Sequence, residues 1–153
     1  MPKLKSLLLS SLALGLTIGV ANSETPQSDT KKIDDNILVN GQKAKGLIGS
    51  TSKVIFEQTD KNGTTRRVVV INREPNTRSP VHTMNYAVTS CVNKGQATMY
   101  LDGVSPETTQ MGHCYVMPAG IKGYIYNSGE SELELTDYQV ITSGNEVSHK
   151  LEH

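Results

Sequence analysis

The chain contains two kinds of hydrophobic pattern. Residues 6–21 form one continuous run of apolar and small side chains, whereas apolar residues beyond residue 36 occur in short stretches rich in Val, Ile and Tyr. Two such β-branched stretches, 54–56 and 67–71, lie on either side of Asn62-Gly63, a dipeptide typical of tight β-hairpins. No segment after the first run has the apolar stripe of an amphipathic helix. The pattern therefore predicts an all-β domain that follows an apolar leader.

Further stretches with the same character predict more strands, at 81–86, 88–92, 96–101, 114–117, 124–126 and 133–141. Turn residues such as Asn, Gly, Pro and Asp separate them, and many short strands at this spacing are typical of a sandwich or barrel. We assign residues 36–145 to this domain. Residues 24–35 are polar and charged and are interpreted as a flexible tether, and residues 146–153 as a polar tail.

The N-terminus resembles a secretory signal peptide. Lys3 and Lys5 precede the apolar run, and Ala21-Asn22-Ser23 places small residues where signal peptidase cleaves, so residues 1–23 are predicted to be removed. The alternative, a membrane anchor, is disfavoured because the run is shorter than the ~20 residues of a spanning helix. The predicted location is periplasmic or secreted, with no membrane attachment after cleavage.

Charge and composition limit the partners of the mature chain. Cleavage after Ser23 leaves 13 basic and 15 acidic residues, a net charge of about −2. Such a chain has no electrostatic reason to bind nucleic acid or anionic membranes. The final residues, Leu151-Glu152-His153, look like a truncated cloning scar ahead of a histidine tag.

Residues 112–127 match the spacing of a known motif. Gly112 is followed by five residues, then Pro118-Ala119-Gly120, then Gly123 after two residues and Asn127 after three more. This resembles the second motif of the cupin superfamily, with Gly123 at the position of the family's His. The match implies an antiparallel jelly-roll β-barrel, open at one end, and a homodimer is a common assembly of such domains.

The first cupin motif is matched in its scaffold but not in its ligands. His82 stands at the first His, Met84 at the second, Val88 at the Glu, and Gly95 at the closing Gly. In metal-binding cupins the ligand positions hold one metal ion, and only His82 keeps a usual donor here. Since three or more protein ligands are usual for a firm site, no metal cofactor is predicted. Two alternatives stay open: a dioxygenase- or isomerase-like enzyme with an atypical metal site around His82, and a Cu(I) site using His82 and Met84.

The predicted function is therefore the binding of an unidentified small molecule inside the barrel, or a structural role. Strand alternation would turn Val88 and Ser90 to the same side as His82 and Met84, giving a largely apolar pocket with one imidazole and one hydroxyl. The candidate ligand-binding residues are His82, Met84, Val88, Ser90 and Gly123. The competing interpretation is that these side chains only fill a small barrel.

The mature chain has two cysteines, Cys91 and Cys114. Export places both in a compartment that permits disulfides, and the cupin resemblance makes their strands neighbours. We predict a disulfide between them. Two buried free thiols are the alternative.

Overall fold

The computed structural model describes residues 37–142 and 146–152. The predicted signal peptide 1–23, the tether 24–35 and His153 lie outside these residues. Within the described ranges, no helix is long and apolar enough to cross a membrane.

The described residues form strands joined by turns and short loops. The strands are β1 (Leu38–Val39), β2 (Gln42–Lys43), β3 (Leu47–Ile48), β4 (Thr51–Thr59), β5 (Thr65–Arg73), β6 (Thr77–Arg78), β7 (His82–Met84), β8 (Val88–Lys94), β9 (Gln96–Leu101), β10 (Glu107–Gln110), β11 (Cys114–Met117), β12 (Lys122–Asn127), β13 (Leu133–Ile141) and β14 (Ser148–Lys150). Three of them, β9, β11 and β13, have the bounds that the sequence predicts.

Two larger sheets and one two-stranded sheet organise these strands. The five-stranded sheet has the order β11-β8-β13-β5-β4 and is antiparallel throughout. The seven-stranded sheet has the order β10-β9-β12-β6-β3, with β7 paired to both β12 and β14. Strands β1 and β2 pair only with each other among the described strands.

The predicted all-β jelly roll is confirmed, with two differences in detail. Among the described strands, hydrogen bonds do not join the two large sheets into one closed barrel. One pair, β3 with β6, is parallel rather than antiparallel. Strands that are consecutive in sequence often belong to different sheets. Strand β8, for example, lies in the five-stranded sheet and β9 in the seven-stranded sheet, and this connectivity is typical of a jelly roll.

The β4–β5 hairpin forms where Asn62-Gly63 predicts it. Gly63 has a φ of +81°, a conformation that glycine adopts without steric cost. The Asp60 carboxylate accepts backbone hydrogen bonds from Asn62 and Thr64, which closes the loop. This hairpin supplies the longest strand pair at the edge of the five-stranded sheet.

The main core lies between the two large sheets, in the space that we call the lumen. Its buried residues come from both sheets: Met84, Val88, Val92, Ala97, Met99, Leu101, Tyr115, Met117, Ile125, Leu133 and Leu135. Because side chains alternate along a strand, each sheet presents one apolar face to the other. The core therefore fills much of the lumen and holds the sheets together.

A second, smaller cluster covers the outer face of the seven-stranded sheet. Val39, Val81 and Tyr124 form its buried centre, and the rings of Tyr100 and Tyr124 stack with centroids 4.7 Å apart. Leu151 packs against it. We call this set the outer-face cluster.

The C-terminal residues differ from the predicted polar tail. Strand β14 pairs with β7, and Glu152 is buried against Arg78. The polar composition of residues 146–153 does not predict this strand or this buried side chain. They depend on two specific contacts: Leu151 packs against apolar side chains, and Glu152 pairs with a buried cation. The domain extends to Glu152.

Candidate functional site

A cavity of about 380 Å³ remains in the lumen beside the core. Its apolar walls come from both sheets and include Val69, Ile71, Met117, Ile125 and Leu135. Its polar lining consists of Ser50, Ser52, Arg67, Arg73, Ser79, His82, Ser90, Tyr115, Asp137, Gln139, Ser148 and Lys150. The volume is at the small end of the roughly 300–1,000 Å³ typical of small-molecule sites.

One row of facing residues across the five-stranded sheet carries much of the polar chemistry. Asp137 on β13 faces Val69 on β5 and Ser90 on β8, and Ser90 faces Tyr115 on β11. Residues that face each other across a sheet point to the same side. The register of β13, β8 and β11 therefore brings a carboxylate, an aliphatic hydroxyl and a phenol together inside the lumen.

Within this row the Ser90 hydroxyl donates a hydrogen bond to Asp137 at 2.6 Å. Burial raises the pKa of Asp137, although the bond from Ser90 and the charge of Arg73 act in the opposite direction. Burial also raises the pKa of Tyr115, which stays a neutral phenol. The neighbouring Ser90 hydroxyl acts to lower the pKa of Tyr115, but among the described residues no contact at the buried Tyr115 hydroxyl has the geometry of a hydrogen bond.

Arg73, the last residue of β5, places a buried guanidinium at the cavity. The residue is 6% exposed. Its Nη1 donates to the Gly49 carbonyl at 3.1 Å, while its Nε has no partner and no described carboxylate forms an ion pair with it. Burial lowers the pKa of Arg73, but a guanidinium remains charged in proteins. The cavity is therefore lined by a buried cation that lacks a direct counter-ion.

His82 lines the same cavity with a defined tautomer. Its Nδ1 lies 2.7 Å from the Pro80 carbonyl oxygen, which can only accept, so Nδ1 carries the proton. The neutral ring then has Nε2 as its free acceptor. Burial lowers the pKa of His82, and the charges of Arg73 and Lys150 lower it further against the opposing bond to Pro80.

The residues at the cupin ligand positions do not fit a conventional metal ion. Val88 has no donor atom and is 2% exposed within the apolar core. A Cβ at Gly123 would lie 2.3 Å from the Tyr100 carbonyl oxygen and 2.7 Å from a Leu101 methyl, so this position has no room for a ligating side chain. In residues 37–142 and 146–152, no group of three His, Cys, Asp or Glu side chains is arranged to hold a metal.

The predicted disulfide is present in the structure. Cys91 and Cys114 face each other across β8 and β11 and are joined by an S–S bond. Both side chains point away from the lumen, since their neighbours Ser90 and Tyr115 point into it. The bond fastens the edge strand that carries Tyr115.

Four of the five predicted ligand-binding residues, His82, Met84, Val88 and Ser90, line the cavity. Gly123 does not, because Leu101 occupies the space in front of it. The ligand-binding role of all five remains a prediction.

The lumen residues absent from the sequence prediction include Arg73, Tyr115 and Asp137. Alternation along β5 and β13 could have indicated two of them, since Arg73 shares a face with Ile71, and Asp137 with Leu135. Tyr115 follows Cys114 and could have been placed opposite Ser90 only with the strand register.

The fold and the lumen define a double-stranded β-helix domain of the jelly-roll type. No known family profile matches the chain, and no curated protein is similar in sequence. The structure resembles several solved structures at low sequence identity. An uncharacterised Klebsiella pneumoniae protein with a double-stranded β-helix domain has a TM-score of 0.53 and 20% identity, over 68% of this chain and 85% of that one.

Two other solved structures carry the name of the fold. A cupin 2 domain-containing protein from Halorhodospira halophila has a TM-score of 0.54 and 14% identity, over 67% of this chain and 70% of that one. A cupin domain from Bordetella pertussis has a TM-score of 0.50 and 14% identity, over 63% and 97%. The chain has the fold of the cupin superfamily, as its motifs predict, and at these identities the likeness concerns the fold alone.

Proposed function

We propose that this chain is an exported cupin-fold protein that binds a small, partly apolar organic molecule in its lumen, without the metal chemistry of conventional cupins. The observation that supports this is the cavity of about 380 Å³ among the core side chains. A lumen filled only by its own side chains would leave voids no larger than about a water molecule. The proposed site also combines apolar walls with a few convergent polar groups, as ligand sites do.

Export is proposed on the pattern of residues 1–23, and the Cys91–Cys114 disulfide is compatible with an oxidising compartment. The donor set at the cupin ligand positions supports a role without a conventional metal. Neither Val88 nor Gly123 can coordinate one, and the remaining His82 has a single free ring nitrogen.

Binding in the lumen can be tested by filling the cavity. Val88 lines it, and Val88→Phe would occupy part of its volume, whereas Val116→Phe adds the same atoms to a side chain that is 52% exposed. Titration with benzyl alcohol and cyclohexanol would be followed by NMR shifts of backbone amides. We expect shifts at lumen residues in the wild type and in Val116→Phe, and their loss in Val88→Phe.

The opposite results would count against the proposal. Wild-type lumen amides that do not respond to either probe would indicate a filled barrel. Responses that survive in a folded Val88→Phe protein would place binding elsewhere.

A further inference from the structure

We propose that the molecule bound in the lumen is an organic anion, a carboxylate with an apolar body, and that Arg73 and Tyr115 bind its carboxylate. This inference rests on the proposed function and adds the chemical class of the ligand. It starts from three cavity-lining residues that each have a buried polar atom without a hydrogen-bond partner in the described part of the chain: the donors Arg73 Nε and Tyr115 Oη, and the acceptor Gln139 Oε1.

The two donors, Arg73 Nε and Tyr115 Oη, belong to residues that are only 6% exposed, whereas Gln139 Oε1 is an acceptor and would not bind an anion. A buried donor without an acceptor costs about 1–3 kcal/mol, and more when it is charged. A ligand atom that accepts from both would remove this cost. Carboxylate oxygens accept several hydrogen bonds and form charge-assisted pairs with a guanidinium, which are among the strongest in proteins.

The charges around the cavity favour a single negative charge on the ligand. Arg67 already pairs with Glu57, and Asp137 can offset only one of the two remaining cations, Arg73 and Lys150. Neither of these cations forms an ion pair with a described residue. The lining therefore keeps about one positive charge without a counterpart, which fits a monoanion.

The apolar walls favour an organic anion over a free inorganic one. Ile71, Leu135 and Met117 line the cavity near the polar row, and a fully hydrated phosphate or sulfate would gain nothing from contact with them. An apolar ring or short alkyl chain would bury against these side chains. Phosphate also carries more negative charge at neutral pH than the lining can offset.

The test compares carboxylates with their uncharged amides, using the full mature chain. The probe pairs are benzoate with benzamide and hexanoate with hexanamide, and phosphate is the inorganic anion. We expect at least one carboxylate to bind the wild type about ten-fold or more tightly than its amide, by calorimetric titration. Phosphate is expected to bind more weakly than that carboxylate.

Three variants assign the preference to its residues. Arg73→Met should abolish the preference for the carboxylate, and Tyr115→Phe should reduce it several-fold. Arg66→Met is the matched control, because Arg66 lies on the same strand but outside the cavity lining, and its exposed side chain is paired with Asp60. It should leave the preference within about two-fold. Chemical denaturation verifies that each variant is folded.

Each other outcome contradicts the assignment in a distinguishable way. Equal binding of acids and amides by the wild type would overturn the anionic ligand and leave the lumen as a binding site. A preference that survives in folded Arg73→Met would overturn the role of Arg73. If neither the acids nor the amides bind, both the anionic ligand and the proposed function fail.

Discussion

Two buried arginines lie in different surroundings in this small domain. Arg73 ends β5 and faces the cavity, whereas Arg78 ends β6 and belongs to the outer face of the seven-stranded sheet, and they are 6% and 4% exposed. Arg78 donates to both carboxylate oxygens of Glu152 and to the Ser79 carbonyl, and its guanidinium lies over the Tyr124 ring. Within residues 37–142 and 146–152, Arg73 donates a hydrogen bond only to the Gly49 carbonyl.

The difference separates an arginine that holds the fold together from one that is available to a ligand. A buried charge is costly unless it is paired and hydrogen-bonded. Arg78 is paired within the chain through a bidentate bond to Glu152, which also accepts the backbone N–H of Val81, although the Nε of Arg78, like that of Arg73, has no partner among the described residues. Arg73 forms no ion pair with a described residue, and a ligand that supplied the missing anion would offset the cost of burying its charge. The charge of Arg78 is thus balanced by a direct ion pair, and among the described residues the charge of Arg73 is not.

The largest effect is expected from breaking the complete pair. Glu152→Leu leaves Arg78 buried without its counter-ion and should lower the free energy of unfolding by about 3–5 kcal/mol. Urea denaturation followed by circular dichroism measures this. Glu132→Leu is the control, because its pair with Lys94 is solvent-exposed and should be worth less than about 1 kcal/mol. Equal effects of the two substitutions would remove the distinction between the regions.

The next largest effect on the free energy of unfolding is expected from removing the disulfide, which joins the two strands that carry Ser90 and Tyr115. The double substitution Cys91→Ser and Cys114→Ser opens a loop with a sequence separation of 23 residues. The chain-entropy estimate for a loop of this size is about 3 kcal/mol of lost stability. Wild-type protein unfolded with and without reductant should show a similar difference, and the double variant should be insensitive to reductant. A loss below about 1 kcal/mol would mean that packing alone holds β11.

A smaller effect is expected on the pH dependence of stability, through the titration of His82. Its folded pKa lies below the unfolded value of about 6.5, so the unfolded state binds its proton first as the pH falls. The neutral ring therefore stabilises the fold fully above pH 6.5, and this contribution is lost progressively as the pH falls from there towards the folded pKa. His82→Gln should show a smaller loss of stability between pH 7.5 and 5.5 than the wild type.

The matched control is His113→Gln, which makes the same substitution at an exposed side chain. Urea denaturation at the two pH values measures each protein. The same pH dependence in His82→Gln and wild type would show that the ring is not the group that titrates.

Much of the fold could be predicted from local signals, but the chemistry of the lumen could not. Alternating β-branched stretches and Asn62-Gly63 predict the long strands and their hairpin, and the spacing from Gly112 to Asn127 predicts the cupin fold. The strands β1, β2, β3, β6 and β14 escaped prediction because two or three residues carry no periodic pattern. Strand β14 is one of these.

The site residues escaped for a different reason. The polar row is created by register, which joins Asp137, Ser90 and Tyr115 from three strands that are not consecutive in sequence. Likewise, nothing local distinguishes Arg73 from Arg78, since each ends a strand. Their difference lies in whether a carboxylate from a distant segment reaches them, and only Arg78 meets Glu152.

The most direct test of this account measures the ligand-free stability of Arg73→Met and Arg78→Met side by side, in urea at neutral pH. Removing Arg78 leaves the Glu152 carboxylate buried and unpaired, and we expect a loss of about 3–5 kcal/mol. Removing Arg73 takes away a buried charge that has no counter-ion, and we expect a folded protein at least as stable as the wild type. A loss of stability in Arg73→Met that matches the loss in Arg78→Met would contradict the account, because Arg73 would then be part of the fold and not held in place for a ligand.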